Sequence, residues 1–181
     1  MASLTRIEAS TFIPAPTHTV WQTLLDPCRW ADWLPEGAAA RIEAIESTDD
    51  TFERVGDRRR CSAVLSGLPL VGARRLVWNE WVTDVDRGRT LEIESLPADH
   101  AIRRWRVRFW LVPEAAYGTR LRCHVSYRPA SLTGWLADRL VLRRRVTSAA
   151  HTWLNNLAAS FAPEPVEERP ALEPSEALVA A

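Results

Sequence analysis

The chain has 181 residues, of which 46% are hydrophobic and 25% charged, and its formal net charge is zero. This composition is typical of one soluble globular domain, and no apolar run approaches the roughly 18 residues of a membrane-spanning helix. The N-terminus lacks the apolar segment of a secretory signal, so we expect a cytoplasmic protein.

The charged residues narrow the possible chemistry. All 23 basic residues are Arg, which excludes a Schiff-base lysine and a P-loop lysine. Residues 163–181 carry five Glu against one Arg, a net charge of −4, which leaves about +4 on residues 1–162. That excess is too small to indicate a nucleic-acid partner. The three cysteines have no zinc-like spacing and no GxGxxG motif occurs, so no metal or cofactor is expected.

Alternation of apolar and polar residues predicts most of the chain as strands. A first strand over 4–13 ends at two prolines, and two short helices follow, one from Pro16 and one over about 27–33. Further strands are predicted over 40–47, 54–65, 74–85, 89–96, 101–112 and 118–128.

The last two strands place apolar residues on one face and arginines on the other. This pattern is typical of an antiparallel sheet with one buried and one solvated face. On the solvated face, we expect the arginines to form cross-strand ion pairs with Glu92 and Glu94.

A long amphipathic helix is predicted over 131–162, with Ser131 as N-cap and Pro163 barring its continuation. At 100° per residue, one stripe carries most of its apolar residues, yet Arg143 lies in the middle of that stripe. Either Arg143 anchors an anionic ligand, or it pairs with an acidic residue, or the first half of the helix leaves the sheet and Arg143 reaches water.

The order of these elements predicts an α+β fold. A curved antiparallel sheet of about six to seven strands wraps on one long C-terminal helix, with two short helices after the first strand. Residues 1–162 form this domain, and the Pro- and Glu-rich tail 163–181 is expected to be disordered.

Several short motifs resemble the START-like helix-grip superfamily (SRPBCC), which includes polyketide cyclase/dehydrase and lipid-transport proteins. The motifs are Ile13-Pro14-Ala15-Pro16 with Val20-Trp21, Leu25-Asp26-Pro27 with Trp30 and Trp33-Leu34-Pro35, Val55-Gly56-Asp57-Arg58, Val85-Asp86-Arg87-Gly88-Arg89, and Trp153-Leu154-Asn155-Asn156-Leu157. The resemblance implies a cavity between sheet and helix that holds a lipid, a polyketide or an aromatic compound.

Candidate wall residues of such a cavity are the large aromatic side chains Trp21, Trp33, Trp81, Trp105, Phe109, Tyr127 and Trp153. Polar candidates are Arg143 and the pair His151 and Asn155, which lies either at the cavity wall or at the surface. Glu80 faces the cavity or the solvent, since both faces of its strand are equally apolar. His151, Arg143 and Glu80 are the candidate acid–base residues.

Three functions follow from this sequence. The first is binding of a hydrophobic small molecule, as a carrier or sensor. The second is a polyketide cyclase, aromatase or dehydratase that uses acid–base residues in the cavity. The third is a protein-interaction module without a ligand. The oligomeric state is not predicted by the sequence.

Overall fold

The computed structural model describes residues 4–26, 29, 33, 38–46, 52–65, 74–97, 102–114, 117–129 and 131–162. Its elements in chain order are β1 (Thr5–Ile13), α1 (Thr17–Leu25), β2 (Ala38–Glu46), β3 (Arg58–Leu65), β4 (Arg74–Asp86), β5 (Thr90–Pro97), β6 (Ile102–Glu114), β7 (Gly118–Pro129), α2 (Leu132–Ala137), a π-helical segment (Asp138–Leu142) and α3 (Arg143–Ala159).

The strands form one antiparallel sheet of seven strands in the order β1-β7-β6-β5-β4-β3-β2. Every neighbouring pair except β1–β7 is consecutive in the chain, so short connections suffice. The C-terminal helix packs chiefly along β1 and covers the apolar face of the sheet, which we call the concave face. The predicted helix-grip fold is thereby confirmed.

The third predicted strand begins later than expected, and two other predicted segments lie largely outside the described residues. The third strand was expected from residue 54, but it begins at Arg58, because a turn holds the preceding residues. The Asp57 carboxylate accepts backbone N–H groups of Glu53 at 3.0 Å and Arg54 at 2.8 Å, and Gly56 has a φ of 95°. The second short helix, predicted over 27–33, lies largely outside the described residues. The tail 163–181 lies wholly outside them.

The C-terminal helix begins as predicted, since the Ser131 hydroxyl accepts the N–H of Gly134 at 3.0 Å. Its sheet-facing side differs from the predicted stripe. The π-helical segment contains wider turns than an α-helix and rotates the residues before it by part of a turn. Leu136 and Leu140 are therefore exposed, and Asp138 takes the buried position instead.

A second irregularity decides the face of Glu80. The pairing of β4 with β5 shifts between Val82 and Asp84, so Val82 and Val85 both face the core, although they are three residues apart. Glu80 shares the concave face with Val82, and Trp81 lies on the opposite, convex face beside Glu94.

The convex face carries the predicted ion pairs, which are confirmed. Glu94 is 3% exposed and receives Arg104 Nε at 2.7 Å and Arg106 Nη2 at 3.0 Å. Glu92 lies between Arg106 and Arg108, at 3.4 and 3.6 Å, and accepts the Thr83 hydroxyl at 2.9 Å. These buried carboxylates tie β4, β5 and β6 together from outside.

We expect Glu94→Gln to lower the free energy of unfolding by about 1–3 kcal/mol, because two guanidinium groups lose a buried charged partner. Glu114→Gln is the matched control. Its ion pair with Arg120 is far more exposed, so its effect should be smaller. Urea denaturation followed by circular dichroism measures both. Equal losses in the two variants would contradict the stabilising role of the Glu94 pairs.

Candidate functional site

One line of residues crosses the concave face at right angles to the strands. Strand register places its members opposite one another, from β1 to β3, and we call them the polar row: Thr5, Tyr127, Trp105, Ser95, Glu80 and Arg59. Since neighbouring strands are about 4.8 Å apart, Tyr127 and Glu80 are separated by roughly 14 Å along the sheet. Five of its six side chains carry oxygen or charged groups, and Trp105 carries an indole N–H.

The C-terminal helix meets the polar row at Asp138. This carboxylate is buried, accepts a hydrogen bond from the Tyr127 hydroxyl, and accepts the Thr5 hydroxyl at 2.9 Å. Burial raises the pKa of the Tyr127 phenol, the hydrogen bond to Asp138 raises it further, and the charge of Arg143 opposes the rise. Tyr127 therefore stays protonated and holds the π-helical segment against the sheet.

At the other side of the polar row, Glu80 and Arg59 form a buried ion pair. Arg59 is 2% exposed, and its Nε and Nη2 each lie 2.6 Å from Glu80 Oε2. Trp78 Nε1 donates to the second carboxylate oxygen at 2.7 Å, and the Arg59 guanidinium lies over the Phe52 ring at 4.2 Å. The two charges compensate each other and gain hydrogen bonds, which burial of an ion pair requires.

The neighbouring Cys61 is not a nucleophile in this setting. Burial, followed by the negative charge of Glu80, raises the pKa of its thiol to about 12. At neutral pH the reactive thiolate is therefore scarce.

Next to the polar row, the concave face is apolar. The next line across the sheet consists entirely of β-branched aliphatic residues: Ile7, Val125, Val107, Ile93 and Val82. A molecule lying along the strands would therefore meet hydroxyl and charged groups at one end and only hydrocarbon at the other.

Several apolar side chains of the middle strands and of the helix keep some exposed surface. Trp105 and Val107 lie on the concave face of β6, and Leu142, Val146 and Ala150 lie on the sheet side of the helix, yet all five are only partly buried. Two apolar surfaces in full contact would bury such residues completely. These five side chains are therefore not fully enclosed, and the helix packs chiefly along β1, at the side of the sheet.

The opposite end of the helix is closed by aromatic side chains. Trp153 packs edge-on against Trp33, with ring centroids 5.9 Å apart. It also packs against Phe109 in a tilted arrangement, with ring centroids 5.2 Å apart. Asn156 Nδ2 donates to the Trp33 carbonyl at 3.2 Å, and Leu154 and Leu157 are fully buried nearby. Three of the predicted wall residues thus form one packed cluster beneath the last turns of the helix.

The remaining predicted aromatic residues are dispersed. Trp105 stacks on Tyr127 at 5.5 Å within the polar row. Trp21 is buried in α1, and its Nε1 donates to Glu53 at 2.8 Å, so its polar end is already used by the 52–57 turn. Trp81 lies on the convex face and is not brought together with the others.

The predicted polar residues of the helix lie on its solvent side. Arg143, His151 and Asn155 are all exposed, whereas Leu142, Val146 and Ala150 face the sheet. Arg143 and Ala150 are seven residues apart within α3, so the π-helical segment that precedes Arg143 does not shift one relative to the other. Of the alternatives open for Arg143, the placement agrees with a side chain that reaches water.

Sequence reasoning missed four residues of this site: Thr5, Arg59, Ser95 and Asp138. Strand alternation contained a signal for Arg59, because Arg59 and Cys61 share one face while Arg58 and Arg60 share the other. Asp138 is four residues before Leu142 and eight before Val146, a spacing that helical periodicity places on one face, so the sequence also contained a signal for Asp138.

Within the described part of the chain, no group of three or more His, Cys, Asp or Glu side chains could hold a metal ion. The described helices also include none that is long and apolar enough to cross a bilayer.

A curved antiparallel sheet covered by one long C-terminal helix is the fold of the START-like superfamily. Residues 5–162 match the family model for polyketide cyclase/dehydrase and lipid-transport proteins, so the chain belongs to that family. No curated protein shows significant similarity to the sequence.

Solved structures share this fold at low sequence identity. Protein CV1439 from Chromobacterium violaceum has a TM-score of 0.66 at 17% identity, covering 88% of this chain and 98% of its own. The Zhui aromatase/cyclase from Streptomyces sp. R1128 has a TM-score of 0.61 at 14% identity, covering 87% and 93%. Norcoclaurine synthase from Thalictrum flavum has a TM-score of 0.59 at 13% identity, covering 88% and 87%.

We expect Tyr127→Phe to lower the free energy of unfolding by about 1–3 kcal/mol at neutral pH, because the buried Asp138 loses a donor. The loss should shrink above pH ~10. Because the pKa of Tyr127 is higher in the folded protein than in the unfolded chain, its contribution to stability is complete below the ordinary tyrosine pKa. This contribution is lost as the pH rises toward the pKa that Tyr127 has in the folded protein.

Urea denaturation of both proteins at a series of pH values measures the difference. Thr5→Val, which removes the other donor to Asp138 without removing a titrating group, serves as control. Its loss should not fall with pH between about 9 and 11. A Tyr127→Phe loss that stayed constant over this range would show that Tyr127 does not titrate as inferred.

Proposed function

We propose that the protein binds a predominantly apolar small molecule with one polar group, in the gap between the middle strands and the C-terminal helix. The supporting observation is that Trp105 and Val107 on the sheet, and Leu142, Val146 and Ala150 on the helix, remain partly buried although they pack against the buried core. Family membership agrees with this proposal, since the family includes lipid-transport proteins.

The polar row supplies the recognition of the polar group. Ser95 lies directly opposite Glu80 in the strand register and next to Trp105, in the middle of the sheet. A hydroxyl or carbonyl of the ligand would hydrogen-bond there, while its hydrocarbon part extends over Val107 and Ile93. Apolar pockets with a few placed polar groups generally bind ligands in this manner.

The charge of the site favours a neutral ligand. Glu80 and Arg59 already compensate each other, and the Asp138 carboxylate has Tyr127 and Thr5 as donors. A charged ligand group would have to displace one of these partners and leave it buried without compensation.

We expect Val107→Phe to weaken ligand binding at least tenfold, because the larger ring fills the gap, and to leave the fold stable or slightly stabilised. Val112→Phe is the matched control. It lies on the same strand but on the convex face, where the side chain is 41% exposed, so it should change neither property.

Binding is measured with the fluorescent probes N-phenyl-1-naphthylamine, which is neutral, and 1-anilinonaphthalene-8-sulfonate, which is anionic. The neutral probe should bind more tightly. If neither probe binds the wild-type protein, or if Val107→Phe costs several kcal/mol of stability, there is no gap to fill.

A second candidate function is proton abstraction next to a carbonyl group, as a cyclase or aromatase requires. It is favoured by the position of Glu80 beside Ser95 in the polar row. The Glu80 carboxylate would take a proton from the carbon between two carbonyl groups, and the Ser95 hydroxyl would donate to the enolate oxygen. Arg59 compensates the carboxylate charge before the transfer, and after it the positive charge of Arg59 stands against the negative charge that has moved to the enolate.

This second function is tested by deuterium exchange at the α-carbon of a 3-oxoacyl thioester, followed by nuclear magnetic resonance. Glu80→Gln should reduce exchange roughly 100-fold relative to wild type while probe binding persists, because general-base catalysis is lost. Glu8→Gln, an exposed substitution on the convex face, is the control. If the wild-type protein exchanged the α-carbon proton no faster than buffer alone, the second function would be excluded and ligand binding would remain as the proposed function.

A further inference from the structure

The first part of the C-terminal helix presents an unusual surface. Across residues 135–145, with the sequence WLADRLVLRRR, only Asp138 among the described side chains is buried. Three large apolar side chains are exposed, Leu136 to 53%, Leu140 to 64% and Val141 to 49%. Exposed apolar residues of this size normally occur singly, so their grouping on one segment calls for a partner.

Four arginines surround these apolar side chains. Arg139, Arg143, Arg144 and Arg145 are all exposed, and Arg139 lies over the Trp135 ring at 5.3 Å. Asp138 is the one acidic residue of the segment, and it is buried against Tyr127 and Thr5. The exposed charge of the segment is therefore wholly positive.

The spacing brings the two kinds of side chain together. Leu136 and Leu140 are one helical turn apart, and Arg143 and Arg144 follow Leu140 at three and four residues. Arginine side chains can extend their aliphatic stems along an apolar surface while the guanidinium stays in water. Apolar side chains flanked by arginines on one helix are typical of segments that lie in the interface of a membrane.

We propose that residues 135–145 dock the protein on the surface of an anionic lipid bilayer. Leu136, Leu140 and Val141 enter the boundary between headgroups and acyl chains, and the arginines contact lipid phosphates. The positive charge of the segment is complementary to that surface, and the π-helical segment is what turns these residues away from the sheet. The docking surface is separate from the gap, so the proposal goes beyond ligand binding and does not require it.

The test is sedimentation of the full chain with vesicles of phosphatidylcholine alone or with about 30% phosphatidylglycerol. The wild type should bind only the anionic vesicles, and binding should weaken as salt is raised. Arg143→Gln with Arg144→Gln should weaken binding roughly 10- to 30-fold, since each arginine near such a surface is worth about fivefold. Leu136→Ser with Leu140→Ser should weaken it as well.

The control replaces the same number of arginines elsewhere. Arg6→Gln with Arg128→Gln removes two exposed arginines from the convex face, where Arg128 lines a cleft of about 370 Å³ with Leu4, Arg104, Arg106 and Ser126. Binding of this variant should stay within about twofold of wild type. An equal loss in the control would place the contact on the convex face and overturn the proposal.

Two further outcomes would also overturn it. One is a wild-type protein that does not sediment with anionic vesicles. The other is a stable dimer in analytical ultracentrifugation that Leu136→Ser with Leu140→Ser converts to monomer, because the apolar residues would then form a subunit interface. All substituted side chains are exposed, and thermal melts confirm that each variant remains folded.

Discussion

The register of the antiparallel sheet is the constraint on which the candidate site depends. Because β1, β7, β6, β5, β4 and β3 pair without offset at one level, residues far apart in the chain become neighbours on the concave face. Thr5 and Arg59 stand at the two ends of the same line. A shift of one residue in any pairing would turn that strand's member of the polar row to the convex face.

The acidic residues of the two sheet faces have different partners, and these partners differ in their exposure to water. On the convex face, Glu92 and Glu94 are each shared between arginines that remain partly in water. On the concave face, the Glu80–Arg59 pair and the Asp138–Tyr127 pair are each closed within a few side chains. The convex pairs connect strands, whereas the concave pairs satisfy charged and polar groups that lie beside apolar residues of the concave face.

The C-terminal helix has three consecutive roles along its length. Its last turns seal the core through Trp153, Leu154 and Leu157. Its middle, at Val146 and Ala150, is only partly buried against the core. Its first part is attached at Asp138 and directs apolar and basic side chains outward. The π-helical segment makes this division possible, because it changes which residues face the sheet within one continuous helix.

The sequence by itself determined the α+β architecture, nearly all the strands, the Ser131 cap and the convex ion pairs, because alternation and capping are local patterns. It also identified Tyr127 and Trp105 as inward-facing. Only the tertiary structure decided that Glu80 faces inward beside Arg59, that Trp81 and Arg143 face outward, and that Asp138 joins Tyr127. The placements of Glu80, Trp81 and Asp138 follow from a β-bulge, a π-helical segment and strand register, which shift residues relative to ideal periods. Tertiary structure also joins residues far apart in the chain, such as Thr5 and Asp138, which are 133 positions apart.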